Sequence, residues 1–253
     1  MNILSPSRSH TALLAMVACL VAAMGFAQQG VTTFGMQVKP VFPLSYFDPV
    51  LNLEQPNLSG TIELTGGFAF GMNVRVGLTK TISLETGLGQ IKRRYSFSLA
   101  NDTSGYTESS EVRYIGYELP VTALVYIRLG EQTYMNTSLG FAADFYPSDV
   151  QQDIEEGRIY IFRNSWAQLA VLGNIGVEYR TYKSGIVYLG ATFHRPFNTM
   201  AVADLTYYDR AAGFFPYTMR GELNGSYITV DLRYYFHEDP ERVRKKTKSK
   251  KKK

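Results

Sequence analysis

Cysteine is almost missing from this chain. Cys19 is the single thiol in 253 residues, and it lies in an N-terminal stretch that reads as an export signal. Arg8 gives that stretch a positive start, Thr11 to Met24 is almost wholly apolar, and Gly25-Phe26-Ala27 places small residues at the cleavage positions. A lipoprotein cut before Cys19 fits less well, because Met16 replaces the usual leucine and Leu20 to Met24 stays apolar. If Cys19 leaves with the signal, the mature chain has no disulfide, and the sheet alone must supply its stability.

Distributed basic charge is also lacking. The formal charge is +4, but the tail from His237 carries +6 and Arg8 adds +1, so the remainder is −3. A mildly acidic body with a short basic end excludes a nucleic-acid-binding domain, whose cations would cover a folded face. No metal or cofactor motif and no nucleophile constellation stands out, so no catalytic, cofactor-binding or metal residue is assigned.

What is present is alternation at period two, the mark of a strand with one apolar and one polar face. In Gly225 to Phe236, Ile228, Val230, Leu232, Tyr234 and Phe236 alternate with Thr229, Asp231 and Arg233. Between Thr61 and Leu78, Ile62, Leu64, Phe68, Phe70, Met72, Val74 and Val76 alternate with Glu63, Gly67, Gly71, Asn73 and Arg75. Similar patterns over 33–42, 81–97, 112–129, 133–145, 166–180 and 186–197 bring the expected strands to eight. Tight turns are expected at Thr79-Lys80, Gly130-Glu131 and Lys183-Ser184-Gly185, and long loops over 45–58, 100–111, 147–165 and 198–224. Pro40 and Pro120 fall inside strands, where a missing N–H predicts a bulge or a membrane-boundary position.

These features predict an all-β fold: an eight-stranded antiparallel up-and-down transmembrane β-barrel with a cleaved N-terminal signal peptide and a basic C-terminal tail. The expected division is 1–27 signal, 28–236 barrel and 237–253 disordered periplasmic tail. Short turns on the periplasmic side and an even strand count put both termini in the periplasm of a Gram-negative envelope. A secreted lipocalin would need the charged face outward; strand length and terminal aromatics favour the membrane instead.

The polar face then becomes a narrow interior where opposite charges meet: Glu63, Arg75, Glu85, Arg93, Glu118, Glu178, Arg180, Asp231 and Arg233. Glu85, Glu118 and Glu178 are expected to meet Arg75, Arg233 and Arg180, since unpaired buried charges are heavily penalised. Four other features need weighing. His194 is the one histidine inside the expected barrel. Tyr207, Tyr208, Phe214, Phe215 and Tyr217 crowd the last long loop, where they cap the mouth or anchor a partner. Asp149, Asp153, Glu155 and Glu156 form an acidic run without calcium-loop spacing. The tail Lys245 to Lys253 suits anionic headgroups or simple solubilisation.

Signal, strands, outer loops and a closing aromatic strand together resemble the small outer-membrane β-barrel proteins of the PorT-like and OmpX-like kind. YIGYELPVTALVYIRL (Tyr114 to Leu129) and SLGFAADFY (Ser138 to Tyr146) look especially like the PorT-like group. The membrane pattern, the filled interior and the lack of a nucleophile constellation point to a non-enzymatic integral outer-membrane protein with a structural, interaction or secretion-associated role, and the resemblance implies the link to secretion across the envelope. Its partners would be outer-membrane lipid, the barrel-assembly machinery and envelope or secretion proteins reached through the outer loops or basic tail, with no nucleic acid. The assembly signal is expected in Val230, Leu232, Tyr234 and Phe236, although such proteins commonly end there and this chain continues. Alternatives are a narrow ion or solute pore, or a lipid- or lipopolysaccharide-modifying enzyme using His194. In the barrel lipid A deacylases a serine follows that histidine by two residues, and here Pro196 stands there.

Overall fold

The computed structural model describes residues 32–43, 50–79, 81–182 and 184–237. The expected signal peptide with Cys19, and the tail from 238 onward, lie outside the described residues. The described chain is all-β, with thirteen strands: β1 Thr32–Phe42, β2 Val50–Gln55, β3 Leu58–Gly77, β4 Ile82–Asn101, β5 Tyr106–Arg128, β6 Thr133–Phe145, β7 Val150–Ile154, β8 Gly157–Arg163, β9 Ala167–Arg180, β10 Ile186–Pro196, β11 Ala201–Asp209, β12 Phe215–Leu223 and β13 Tyr227–Tyr235. Every pairing is antiparallel.

β1 has a neighbour on each side, β13 and β3. Pairing therefore runs β1-β3-β4-β5-β6-β9-β10-β13 and returns to β1, with β2 added beyond the ring on β3. A ring leaves no row of unpaired backbone groups, each of which would cost several kcal/mol in hydrocarbon. The short turns close as expected, through Leu78 N–H to Ile82 O, Gly130 N–H to Thr133 O and Thr181 N–H to Gly185 O. They share one end of the ring with the start of β1 and the end of β13, where Phe236 N–H bonds Phe34 O.

Three of the four expected loops are largely sheet, and in the described part of the first, β2 pairs with β3. β4 and β5 continue as a long hairpin to a turn over 102–105. β7 and β8 form a second hairpin, β11 and β12 a third, and together they make a separate four-stranded sheet of order β12-β11-β8-β7. This sheet packs Ile159, Ile161, Leu205, Tyr207 and Met219 against Ile62, Tyr95, Phe97, Leu99 and Tyr114 from the ring's extensions. The result is a two-layer cap with an apolar core over one mouth. Ile159→Ala in this cap is expected to cost about 2–4 kcal/mol, read by chemical denaturation, because a fully buried side chain leaves a cavity behind.

The chemistry of the ring inverts along its length. On β5 the outward residues are Thr107, Ser109, Glu111 and Arg113, followed by Ile115, Tyr117, Leu119, Val121, Ala123, Val125 and Ile127. The inward set runs oppositely, from Val112 and Tyr114 to Glu118 and Thr122. On β4 the outward change falls between Leu88 and Lys92, and Lys92 is the cross-strand partner of Ile115. From Ile115 to Ile127, at about 3.3 Å per residue and a tilt of about 40°, the belt is about 30 Å tall, the thickness of a bilayer core. Tyr117, Phe145, Trp166 and Phe197 mark its upper rim, and Phe34, Tyr179, Tyr234 and Phe236 its lower one.

One bulge alters the expected face assignment. The β3–β4 register shifts between Leu64 and Gly66, so Thr65 is the extra residue and Gly66 takes φ 144°. Below it Phe68, Phe70 and Met72 face outward; above it Ile62 and Leu64 face the cap core. An inserted residue exchanges the faces of a strand. Of the two outcomes expected at the prolines, the bulge is not found, while Pro40 is in register, through Phe68 and Lys92, with Ile115 at the edge of the belt. No register shift accompanies either; pairing with β13 lapses only at Lys39-Pro40 and pairing of β4 with Pro120 lapses locally. The Thr86 hydroxyl donates to Pro120 O at 2.8 Å there.

Candidate functional site

Inside the ring, inward positions carry two buried polar clusters. The lower one centres on Arg75 of β3, whose guanidinium meets Glu85 of β4 at 3.0 Å and Glu178 of β9 at 2.9 Å. It also lies 3.9 Å from the centroid of the Tyr235 ring. Glu178 further pairs with Arg180 and accepts from Asn136 Nδ2 at 3.1 Å. Arg233 of β13 joins Glu85 to Asp231, each at 2.5 Å, and Tyr235 donates to Glu85 at 2.5 Å. Asp231 accepts from Thr192, Thr229 and Asn174. Tyr188 lies across this interior, donating to Asn174 Oδ1 at 2.7 Å. It fits because Gly176 and Gly190 face it; a Cβ at Gly190 would come within 2.0 Å of its hydroxyl.

The upper cluster is built on Glu118 of β5, Asp144 of β6 and His194 of β10. Glu118 and Asp144 are direct cross-strand partners. His194 Nε2 lies 2.9 Å from Asp144 Oδ2 and 3.7 Å from Glu118 Oε2. Lys39 Nζ stands 3.5 Å from the other Glu118 oxygen, and the Tyr227 hydroxyl donates to Oε2 at 3.2 Å. Tyr227 also stacks on the imidazole, with centroids 4.4 Å apart, and Arg93 covers the Tyr227 ring at 4.9 Å. Arg93 reaches Met200 Sδ at 3.2 Å, so the cluster passes directly into the cap core. A cavity of about 10 Å³, room for about one water, adjoins Lys39, Glu118 and Tyr227.

The structure therefore places the nine expected interior charges in three situations. Arg75, Glu85, Glu178, Arg180, Asp231 and Arg233 belong to the lower network. Arg93 and Glu118 belong to the upper cluster, and Glu118 meets Lys39 and His194 rather than an arginine. Glu63 is a correction: it is exposed on the outside of the cap, because the Thr65 bulge turns its face outward. Val230, Leu232, Tyr234 and Phe236 all face outward and are exposed. Lys39, Asp144, Tyr227 and Tyr235 were not singled out by sequence, although each sits at an inward strand position.

The other singled-out groups lie in the cap. Tyr207 is buried in its core and donates to Glu156 at 3.1 Å, whereas Phe214, Phe215 and Tyr217 are exposed at the β11–β12 tip. The acidic run is neutralised residue by residue. Asp149 accepts from Arg163 N and Tyr160, Asp153 pairs with Arg158 at 2.6 Å, and Glu155 and Glu156 share Arg210 at 3.0 and 3.1 Å. The Arg158 hydrogen bond holds the exposed Asp153 carboxyl below its ordinary range.

No family model and no curated protein matches the chain. Among solved structures it is similar to the outer membrane protein OprG from Pseudomonas aeruginosa, with TM-score 0.50, 9% identity, and coverage of 83% of this chain and 98% of that one. Weaker likenesses are to the outer membrane protease OmpT from Escherichia coli, with TM-score 0.36, 14% identity and coverage of 83% and 97%. The translocator domain of the autotransporter NalP from Neisseria meningitidis gives TM-score 0.32, 12% identity and coverage of 90% and 95%. With an outward apolar belt around a polar interior, the likeness to OprG shows the fold alone: an antiparallel β-barrel of the kind that this outer membrane protein has.

Proposed function

We propose that the chain is an eight-stranded up-and-down barrel, exported by a cleaved signal, that spans the outer membrane as a non-enzymatic structural, interaction or secretion-associated component. The observation that carries this reading is a filled interior: paired charges below, the His194 cluster above them, and the apolar cap core over the mouth. Eight strands enclose a space that side chains just fill. The short-turn end, which holds both barrel termini, faces the periplasm, and the cap stands outside.

The fixed cap is a platform, and Phe214, Phe215 and Tyr217 are its exposed aromatic tip. Aromatics of this kind serve as anchors for a protein partner. A secretion-associated partner is suggested by the PorT-like character of Tyr114 to Leu129 and Ser138 to Tyr146. Lipid contacts the outward belt, and the assembly machinery reads Val230 to Phe236.

Reconstitution into planar bilayers tests the filled interior: conductance at the bare-lipid baseline is expected, and stable single-channel steps would favour the pore reading instead. His194 is fully buried under Tyr227, which weighs against a lipid-modifying role. Lipid A mass spectra are expected to be the same with the wild-type chain and with His194→Ala. Cross-linking from the cap tip should recover an envelope protein; recovery of the barrel alone under several mild detergents would count against an interaction role.

A further inference from the structure

We infer that Glu118, Asp144 and His194 form a binding site for one divalent transition-metal ion of the zinc class, acquired as the barrel closes. Among the described residues, these three offer ligand atoms that all lie within 4.8 Å of one another. All are buried, at 7%, 3% and 0% exposure.

Three observations point to a cation here. First, Glu118 and Asp144 stand directly opposite each other on β5 and β6. Like charges in that position repel, and burial strengthens the repulsion. Second, Asp144 Oδ2 and His194 Nε2 are 2.9 Å apart, yet neither makes an aligned hydrogen bond with any group. Buried polar atoms normally find partners, so two unsatisfied atoms facing each other call for a shared one. Third, the separations suit a shared ion. Ligands held at about 2.0–2.2 Å from zinc stand about 3.2–3.6 Å apart in a tetrahedron. The Nε2 distances of 2.9 and 3.7 Å bracket that range, and the remaining carboxylate–carboxylate separation lies within 4.8 Å.

The donor set decides the class of ion. One imidazole nitrogen with two carboxylate oxygens suits zinc or a neighbouring transition metal better than magnesium or calcium, which take oxygen throughout, or copper(I), which prefers sulfur. The Tyr227 oxygen, 3.2 Å from Glu118 Oε2, stands beside the site as a further oxygen donor. Lys39 holds Glu118 through Oε1 and leaves Oε2 toward the site. Its positive charge opposes a second cation, so Lys39→Met should tighten binding. Because the cap core and the lower network close the interior on both sides, the ion enters before closure and exchanges slowly afterwards.

The test is to refold the full chain into detergent with Zn²⁺ or Co²⁺, treat it with a chelator, and measure bound metal by elemental mass spectrometry. About one chelator-resistant ion per chain is expected, with a tetrahedral visible spectrum for Co²⁺. Loss of the ion in Asp144→Asn and His194→Gln, retention in the exposed-histidine variant His237→Gln, and tighter uptake in Lys39→Met all support the site. No uptake by wild type, retention by His194→Gln, or weaker uptake by Lys39→Met would overturn it. Should His194→Gln fail to fold, X-ray absorption of the wild-type zinc complex decides the matter: an imidazole ligand supports the site, and an all-oxygen shell excludes it.

Discussion

Arg75→Met should lower the unfolding free energy by about 3–5 kcal/mol, measured by denaturant titration in detergent or lipid. The guanidinium neutralises Glu85 and Glu178 together and rests on the Tyr235 ring, so its loss leaves two buried carboxylates short of positive charge. Arg233 and Arg180 stay beside those acids, which places the effect toward the lower end of that range. The penalty comes mostly from stranded charge rather than from a lost bond. Arg75→Met combined with Glu178→Gln should therefore cost less than the sum of the two single changes. Additive losses would mean that the two side chains do not share a dry interior.

The second large effect lies on the opposite face. Leu139 is 68% exposed in the middle of β6, with Phe141 two residues further along the same face. In water such a leucine is a neutral or mildly unfavourable surface residue, and Leu139→Arg would be harmless. In a bilayer the same substitution places a charge near the midplane and should cost about 2–4 kcal/mol. Folding into lipid vesicles, followed by urea titration, separates the cases. A Leu139→Arg chain that folds as stably as wild type would remove the outward belt from the hydrocarbon.

Sequence made the belt legible because lipid contact imposes a strict outward rule on every second residue. Phe68, Phe70, Met72, Leu119, Val121, Leu139 and Phe141 obey it, and the structure places all of them outward. Legibility ended where the solvent changes. Above the belt, β4 and β5 keep their parity but exchange chemistry, so Tyr95, Phe97 and Leu99 turn inward while Lys92 and Arg94 turn outward. A reading that equates charge with the interior fails there, and the Thr65 bulge compounds the failure at Glu63.

The cap strands escaped for a related reason. In Gly157–Arg163, Ile159 and Ile161 alternate with Tyr160 and Phe162, so apolar residues occupy both faces and the period-two contrast disappears. The expected interior charges were mostly recognisable one by one, but their partners were not. Glu118 meets Asp144 through β5–β6 register, and His194 reaches both from β10, across the intervening β9. Such a meeting depends on strand order and stagger, which residue spacing along one strand does not encode.

The most direct measurement is a nitroxide scan along the outward face of β5, one cysteine at a time in a Cys19→Ala background, in reconstituted vesicles. Labels at Thr107, Ser109, Glu111 and Arg113 should collide mainly with a water-soluble relaxant. Those at Leu119, Val121, Ala123 and Val125 should collide mainly with oxygen dissolved in lipid, with the crossover beside Ile115. Uniform access to the water-soluble relaxant along the whole strand, or a crossover displaced into the segment below Val121, would contradict a barrel that changes solvent where its side chains change chemistry.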